Sequence, residues 1–181
     1  CQIVLATRSD PPLQVASWRA HGQLVELRAA DLALGDDEAA ALLAIADVRL
    51  TDTQVRRLVE RTEGWSAALY LAALSLRGRS DPQEFIDSFT GTSRHVADFL
   101  SEDVWARLEP DVVDFLLGTC VVDELTASLC DTLRDAPHSQ EMPETLERTN
   151  LFVVPLDQDR RTYRHHQLFA EYLRAELHRR A

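Results

Sequence analysis

Lysine is absent from this 181-residue sequence, in which all 19 basic residues are arginine. A phosphate-binding loop of the G-x-x-x-x-G-K-[ST] type needs its lysine to reach the β- and γ-phosphates of a nucleotide. The sequence therefore has no such loop, and it excludes catalysis through a lysine base or a Schiff base. If the protein works with a nucleotide, we expect most of the phosphate-binding machinery elsewhere, and this chain alone is not expected to be an enzyme.

Cysteine is scarce as well. Cys1, Cys120 and Cys130 are too few and too scattered for a disulfide framework or a zinc site. Cys120 and Cys130 have apolar neighbours and are expected to be buried reduced thiols, which suits a cytoplasmic protein. No apolar run approaches the ~20 residues of a membrane span, so we expect no membrane association.

The balance of charge is acidic. Thirty acidic residues against 19 arginines give a net charge of -11, which argues against the whole chain lying on DNA, because affinity for polyanions comes from basic patches. A hydrophobic content of 45% fits a globular protein. The sequence has no initiator methionine and opens on an apolar run, so we expect it to be part of a longer polypeptide.

Three regions are predicted from the hydrophobic pattern. Residues 1–33 hold two candidate strands, Gln2 to Ala6 and Leu24 to Leu27, which are expected to be the last strands of an α/β domain. Residues 34–90 are helical. Residues 91–181 combine helices with a hairpin and a closing helix, the order of a winged helix. The predicted fold class is therefore mainly α, with a short α/β remnant at the N-terminus.

Local signals mark the helix ends. Thr51 to Gln54 is a capping-box pattern, which predicts the start of a helix. Gly64 is placed to stop that helix, and Ser66 could cap the next one. Asp81-Pro82 joins an N-cap to a proline at the first helical position. Further helices are expected near 36–47, 94–106, 110–118 and 126–134, and another ends near Asn150.

In the C-terminal part, the hydrophobic pattern changes from helical spacing to the alternation that is typical of strands. Leu151 to Leu156 and Arg161 to His165 predict a hairpin, and Pro155 predicts that its strand lies at a sheet edge. Ala136 to Pro143 predicts a polar loop. The last helix carries Leu168 to Leu177.

Few residues are candidates for chemistry. Arg8 follows an apolar run, where it could pair with a phosphate or simply lie on the surface. Gly64-Trp65 joins two helices, either as a helix stop with a core aromatic or as a close approach for a ligand. His166 precedes the last helix, either as a buried structural histidine or as a donor to an anion. His165 and His166 point to opposite faces of a strand and are poor partners for one metal.

Four motifs resemble one family in order and spacing: ATRSDPP, GQLVELRAADL, TEGWSAALYLAALSLRG and LFVVPLDQDRRTYRHHQLFAEYLR. They are similar to the MalT-type, large ATP-binding LuxR transcriptional regulators, which belong to the STAND class of NTPases. The resemblance implies an NTPase core, a helical lid, a winged helix, sensor repeats and a DNA-binding helix-turn-helix. This chain would hold the end of the core, the lid (34–90) and the winged helix (91–181).

The resemblance also implies roles for individual residues. Arg8 matches the sensor of the γ-phosphate, Gly64-Trp65 matches the lid motif near the base, and His166 matches the winged-helix histidine that holds ADP by its β-phosphate. STAND proteins generally have Gly-x-Pro where this chain has Gly64-Trp65-Ser66. Where the family usually has an aromatic residue, this chain has His165, which we expect to take its packing place.

A nucleotide-controlled switch is the function that this resemblance implies. ATP or ADP would be the cofactor, with magnesium supplied by the upstream core, and the parent could be a slow ATPase. Partners would be the upstream core, the downstream repeats, DNA through the separate helix-turn-helix, and further copies on activation. Two alternatives are a protein-interaction module whose nucleotide binding has decayed, and a winged helix that binds DNA directly.

Overall fold

The protein is mainly α-helical in its computed structural model, which describes residues 3–7, 11–79, 81–134 and 140–180. The α-helices within these ranges are α1 (Val15–Ala20), α2 (Asp36–Ile45), α3 (Asp52–Thr62), α4 (Ser66–Leu76), α5 (Pro82–Ser88), α6 (Arg94–Phe99), α7 (Pro110–Thr119), α8 (Ala127–Arg134), α9 (Glu141–Arg148) and α10 (Gln167–Arg180). The strands are β1 (Leu125–Thr126), β2 (Val153–Pro155) and β3 (Thr162–His165).

Of the helices α2 to α5 in residues 34–90, α2, α3 and α5 begin where the sequence predicts. The capping box at α3 is confirmed, because Thr51 Oγ1 accepts a hydrogen bond from the Gln54 amide and Gln54 Oε1 accepts one from the Thr51 amide. At α5, Asp81 accepts the amides of Gln83 and Glu84, and Pro82 takes the first helical position. The apolar faces of these helices form one core, which includes Leu43, Leu58, Leu69, Ala72 and Ile86.

The helix predicted near 94–106 changes its geometry along its length. It is an α-helix to Phe99, a π-helix over Leu100–Val104 and a 3₁₀ turn over Trp105–Arg107. Trp105 packs edge-on against Tyr172 of α10, and the Arg180 guanidinium lies over its ring. This segment therefore ends against the last helix.

The winged-helix hairpin is confirmed. β3 pairs with β2 and with β1, both antiparallel, so that the strand order is β1-β3-β2. Pro155 lies on β2 at the edge, as predicted, because a residue without an amide hydrogen is tolerated there. The third strand, β1, was not predicted, because its two residues carry no strand period and pair only once β3 is in place.

The structure corrects the sequence predictions in two regions. Among the described residues of the two predicted N-terminal strands, 3–6 and 24–27, none forms a strand, and Val4 and Val25 are 88% and 86% exposed. A segment forms a strand only when a neighbouring strand hydrogen-bonds to its backbone, and the described part of the chain supplies no such neighbour to either of these segments. The predicted loop over 136–143 is helical from Glu141, and Pro143 lies in the first turn of α9, where its missing amide is tolerated.

The lid and the winged helix meet along α10. Gly91, in the bend between them, donates its amide hydrogen to the Glu171 carboxylate over 2.7 Å. A Cβ at Gly91 would overlap the backbone carbonyl of Leu168. The bend that follows residues 34–90 is therefore packed directly against the backbone of α10 at this glycine.

Candidate functional site

Two short segments from distant parts of the sequence face each other. We call residues 62–65, between α3 and α4, the lid turn, and residues 164–167, between β3 and α10, the wing junction. His166 Nε2 lies 3.1 Å from the Thr62 carbonyl oxygen, and the Gln167 amide donates to Glu63 Oε1 over 2.8 Å. The structure therefore brings together three of the predicted site residues, Gly64, Trp65 and His166.

Backbone geometry explains the glycine of the lid turn. Glu63 and Gly64 both adopt left-handed conformations, with φ of 51° and 71°, so that the chain reverses directly after α3. The Gly64 carbonyl accepts the Leu34 amide over 2.9 Å, and a Cβ at Gly64 would lie 2.7 Å from the Leu34 carbonyl oxygen. Gly64 thus ends α3 and also packs against the backbone of Leu34, which lies before α2 in the sequence. Trp65, not Ser66, is the N-cap residue of α4, which corrects the predicted cap.

Trp65 lies at the centre of an aromatic cluster. Its ring packs edge-on against Phe152 at 4.9 Å, Phe99 at 5.6 Å and His166 at 5.8 Å between centroids. Such edge-to-face pairs are each worth about 0.5–1.5 kcal/mol beyond area burial. Trp65 therefore fastens the lid turn to the winged helix by packing.

His166 is buried at this interface, with 8% of its surface exposed. Its backbone amide donates to the Phe152 carbonyl over 2.8 Å, which holds the wing junction in place. Burial lowers the pKa of His166, although Glu63 and the Thr62 carbonyl oppose this effect. Its Nδ1 atom is buried and has no hydrogen-bond partner in the structure.

An ion pair beside His166 was not predicted. Arg164 donates to Glu63 through both terminal nitrogens, over 2.8 Å and 2.6 Å. Burial alone would raise the pKa of Glu63, but the hydrogen bonds from Arg164 and Gln167 and the charges nearby hold it below its usual value. No local pattern marks either residue, because the pairing exists only after the lid and the wing have packed.

His165 faces the other way from its neighbour. It is 5% exposed, and its Nε2 lies 3.2 Å from Thr119 Oγ1 on α7. Burial is the main reason that the pKa of His165 falls to about 4, and the nearby Arg174 adds to the effect. The ring is therefore neutral and occupies a packing position.

The remaining predicted residue, Arg8, lies outside the described residues. A cavity of about 470 Å³ opens beside the wing junction and is lined by Glu63, Arg164, His165, Gln167 and Arg174 among others, but not by Gly64, Trp65 or His166. The predicted nucleotide contacts of Arg8, Gly64, Trp65 and His166 stay predictions.

Other kinds of site receive no support within the described ranges. No group of three or more His, Cys, Asp or Glu side chains there is arranged to hold a metal ion. In the same part of the chain, no helix combines the length and apolarity that crossing a bilayer requires. Cys120 and Cys130 are buried free thiols, as predicted.

The residues of the interface fit a phosphate group in one respect. Because the Thr62 carbonyl requires the hydrogen of a neutral ring on Nε2, the buried and unpartnered Nδ1 could bond a phosphate oxygen only in a protonated ring. This nitrogen is not accessible to solvent in the structure.

Comparison with known proteins supports the assignment of the C-terminal half. A family model described as the MalT winged helix domain matches residues 101–181. The match begins within the π-helix and includes β1, the hairpin and α10.

Two kinds of curated protein are similar to nearly the whole chain. The serine/threonine-protein kinase PknK of Mycobacterium tuberculosis is 37% identical over 99% of this chain. The HTH-type transcriptional regulators MalT of Yersinia enterocolitica and Serratia proteamaculans are 32% and 31% identical over 95% of it. The matched parts make up 17%, 19% and 19% of these relatives, so that the chain spans less than a fifth of each.

Proposed function

Residues 101–181 are a winged-helix domain of the MalT type, and on this premise we propose that the chain is the lid and winged helix of a nucleotide-controlled regulator. The observation that carries the proposal is the contact between the lid turn and the wing junction. Three residues assigned to a nucleotide from the resemblance, Gly64, Trp65 and His166, meet at this one interface.

In the proposed switch, the bound nucleotide bridges the winged helix, the lid and the upstream core. In the closed state ADP is held by His166 and the lid turn, with Arg8 and the upstream core, including its magnesium, completing the site. Exchange for ATP releases the winged helix and permits self-association. A ligand shifts such an equilibrium only by its difference in affinity for the two arrangements. His166 supplies that difference, because it belongs to the winged helix and contacts the lid.

The differing names of the relatives support a control function for this segment. One is named a protein kinase and the others are named HTH-type transcriptional regulators, yet both kinds share the segment. A part common to proteins with different effectors is better suited to controlling an effector than to being one. Regulation of transcription is the first candidate output, and regulation of a kinase is the second.

The ion pairs of the C-terminal arginines favour DNA binding through a separate domain. Within the described winged helix, five of these arginines lie within 4 Å of carboxylates, which reduces the positive field that DNA requires. The pairs are Arg160–Glu147, Arg164–Glu63, Arg174–Asp123, Arg179–Glu176 and Arg180–Glu176. A cytoplasmic location completes the proposal, in keeping with the free thiols of Cys120 and Cys130.

The test is a calorimetric titration of ADP into the chain extended upstream by its NTPase core. We expect binding of about -8 kcal/mol or better, which corresponds to a micromolar dissociation constant or tighter. His166→Ala should weaken binding by about 10- to 100-fold, the equivalent of one charge-assisted hydrogen bond.

His178→Ala is the control, because His178 is exposed near the C-terminal end of α10, the helix that begins directly after His166. Its affinity for ADP should equal that of the parent chain. If the folded, extended chain binds no ADP, the switch is rejected and the interaction module without nucleotide binding takes its place.

A further inference from the structure

Four hydrogen bonds join the lid turn to the wing junction, and the Glu63 carboxylate accepts three of them. Two come from the terminal nitrogens of Arg164 and one comes from the amide of Gln167. The fourth joins His166 to the Thr62 carbonyl. We propose that Glu63 is an autoinhibitory latch, which holds the winged helix closed on the lid and must release Arg164 and Gln167 before the switch can open. This inference rests on the proposed function and names the contact that keeps its closed state.

The backbone at Glu63 is unusual for a residue with a side chain. Its φ is 51°, in the left-handed region that a Cβ disfavours and that glycine or asparagine usually occupies at the end of a helix. A glycine at this position would relieve the strain but would leave Arg164 and Gln167 without their acceptor. The chain therefore adopts a disfavoured conformation at the position from which a carboxylate reaches the winged helix. Strain of this kind is typical of clamps and switch regions.

The latch acts on two elements of the winged helix at once. Arg164 belongs to β3, and its Nη1 also donates to the His165 carbonyl over 3.2 Å, which ties the guanidinium to its own strand. Gln167 is the first residue of α10, and the first amides of a helix have no partner within it. Because both contacts converge on a single carboxylate, the loss of Glu63 frees the strand and the helix together.

The latch can open because water reaches it. Glu63, Arg164 and Gln167 line the cavity of about 470 Å³, and the side chains of the ion pair are 22% and 33% exposed. Separating a fully buried ion pair leaves two charges without solvent, which is strongly unfavourable. Here both the carboxylate and the guanidinium can be hydrated from the cavity as they part. The ion pair can therefore favour the closed arrangement and still be released.

Charge reversal in the chain extended by its NTPase core tests the latch. Glu63→Arg sets two guanidinium groups against each other. With ADP bound, it should raise the ratio of self-associated to monomeric chain roughly tenfold or more, the effect of losing a hydrogen bond to a charged group. Arg164→Glu should do the same by opposing two carboxylates. The double variant restores an ion pair of the opposite polarity, so it should associate much less than either single variant. Sedimentation velocity measures the association.

Arg174 and Asp123 provide the matched control, because their ion pair of 3.1 Å lines the same cavity but lies wholly within the winged helix. Asp123→Arg should leave the association with ADP as it is in the parent chain. Glu63→Gln is the milder variant, to be used if circular dichroism shows that the reversed variants do not fold. It keeps an oxygen for the Gln167 amide but loses the charge, so its association with ADP should exceed that of the parent chain.

Amide hydrogen exchange gives a second readout, which needs no nucleotide. In NMR spectra of the 181-residue chain, the Gln167 amide should exchange faster in Glu63→Ala than in the parent. We expect a factor of roughly ten or more, because its acceptor is gone. The His166 amide should keep its rate, since it donates to the Phe152 carbonyl within the winged helix. Equal exchange of Gln167 in the two chains would overturn the proposal.

The outcomes separate the latch from the switch. If the extended parent chain binds no ADP, or does not associate on exchange for ATP, the proposed function fails and the latch fails with it. If the parent chain does both while the folded Glu63→Arg and Arg164→Glu variants stay monomeric with ADP, only the latch fails.

Discussion

Glu63 and Arg164 lie 101 residues apart in the sequence and form a two-pronged ion pair, with Nη1–Oε1 and Nη2–Oε2 distances of 2.8 Å and 2.6 Å. Their side chains are 22% and 33% exposed, so water screens the pair only in part. The same carboxylate accepts the first amide of α10, Gln167, and so fills an N-terminal position that local residues leave open. One side chain of the lid thereby holds both the strand and the helix of the winged unit.

The first prediction concerns the strength of this pair. In a double-mutant cycle with Glu63→Gln and Arg164→Ala, we expect a coupling of about 1–2 kcal/mol in the free energy of unfolding, measured with urea. Arg94 and Asp98 serve as the control, because they are 4.0 Å apart, highly exposed and on one helix. Their coupling should not exceed about 0.5 kcal/mol. Equal couplings for the two pairs would mean that Glu63 and Arg164 do not fasten the lid.

The second prediction concerns the backbone contact at Gly91. Gly91→Ala must displace α10, because the new Cβ would overlap the Leu168 carbonyl, and it should lower the free energy of unfolding by about 3 kcal/mol or prevent folding. Gly118→Ala is the control within α7, where the new Cβ would lie 3.6 Å from an Arg134 carbon. It should stabilise the protein by roughly 0.5–1 kcal/mol through helix propensity. Similar effects of the two substitutions would contradict the packing at Gly91.

The third prediction separates strain from contact in the lid turn. Gly64 and Gly78 have nearly the same φ, 71° and 75°, but an added Cβ would meet other atoms within 4 Å only at Gly64, where the backbone of Leu34 lies closest. Gly78→Ala should cost about 1–2 kcal/mol, the ordinary penalty of a left-handed alanine. Gly64→Ala should cost at least about 1 kcal/mol more in urea unfolding, because the overlap with Leu34 adds to that penalty. An equal loss would show that the linker at Leu34 yields easily.

The fourth prediction is a pH dependence that comes from His165. Its pKa is about 4 in the folded chain against an ordinary 6.5, so the unfolded chain binds the proton first as the pH falls. Stability should therefore be greatest above pH 6.5 and decrease toward pH 4 by on the order of 3 kcal/mol from this residue. Urea unfolding at several pH values measures the slope.

His165→Phe removes this titration and leaves Thr119 satisfied, because its hydroxyl still donates to the Phe115 carbonyl over 2.7 Å. The variant should show a flatter slope between pH 6.5 and 4, whatever its absolute stability. His178→Gln, at an exposed position, should keep the slope of the parent chain. If His165→Phe also keeps it, another group is responsible for the acid sensitivity.

Several elements could be predicted because their signals are local. The start of α3 follows from Thr51 and Gln54, that of α5 follows from Asp81 and Pro82, and the hairpin with Pro155 at its edge follows from the alternation of its strands. The prediction of two N-terminal strands was wrong, because strand formation does not depend on local signals alone. An apolar run supplies a propensity, but a strand also needs a neighbouring strand, and no described residue forms a strand ladder with 3–6 or 24–27.

The sequence by itself determined the helical class, the winged hairpin and the choice of Gly64, Trp65 and His166 as residues of interest, since periodicity, capping and motif spacing are properties of short segments. Only the tertiary structure decided how these residues meet. The Thr62 carbonyl selects one nitrogen of His166 from 104 positions away, and Glu63 finds Arg164 across a similar separation. Contacts of this kind depend on how the lid packs against α10, and no local pattern of residues encodes that packing.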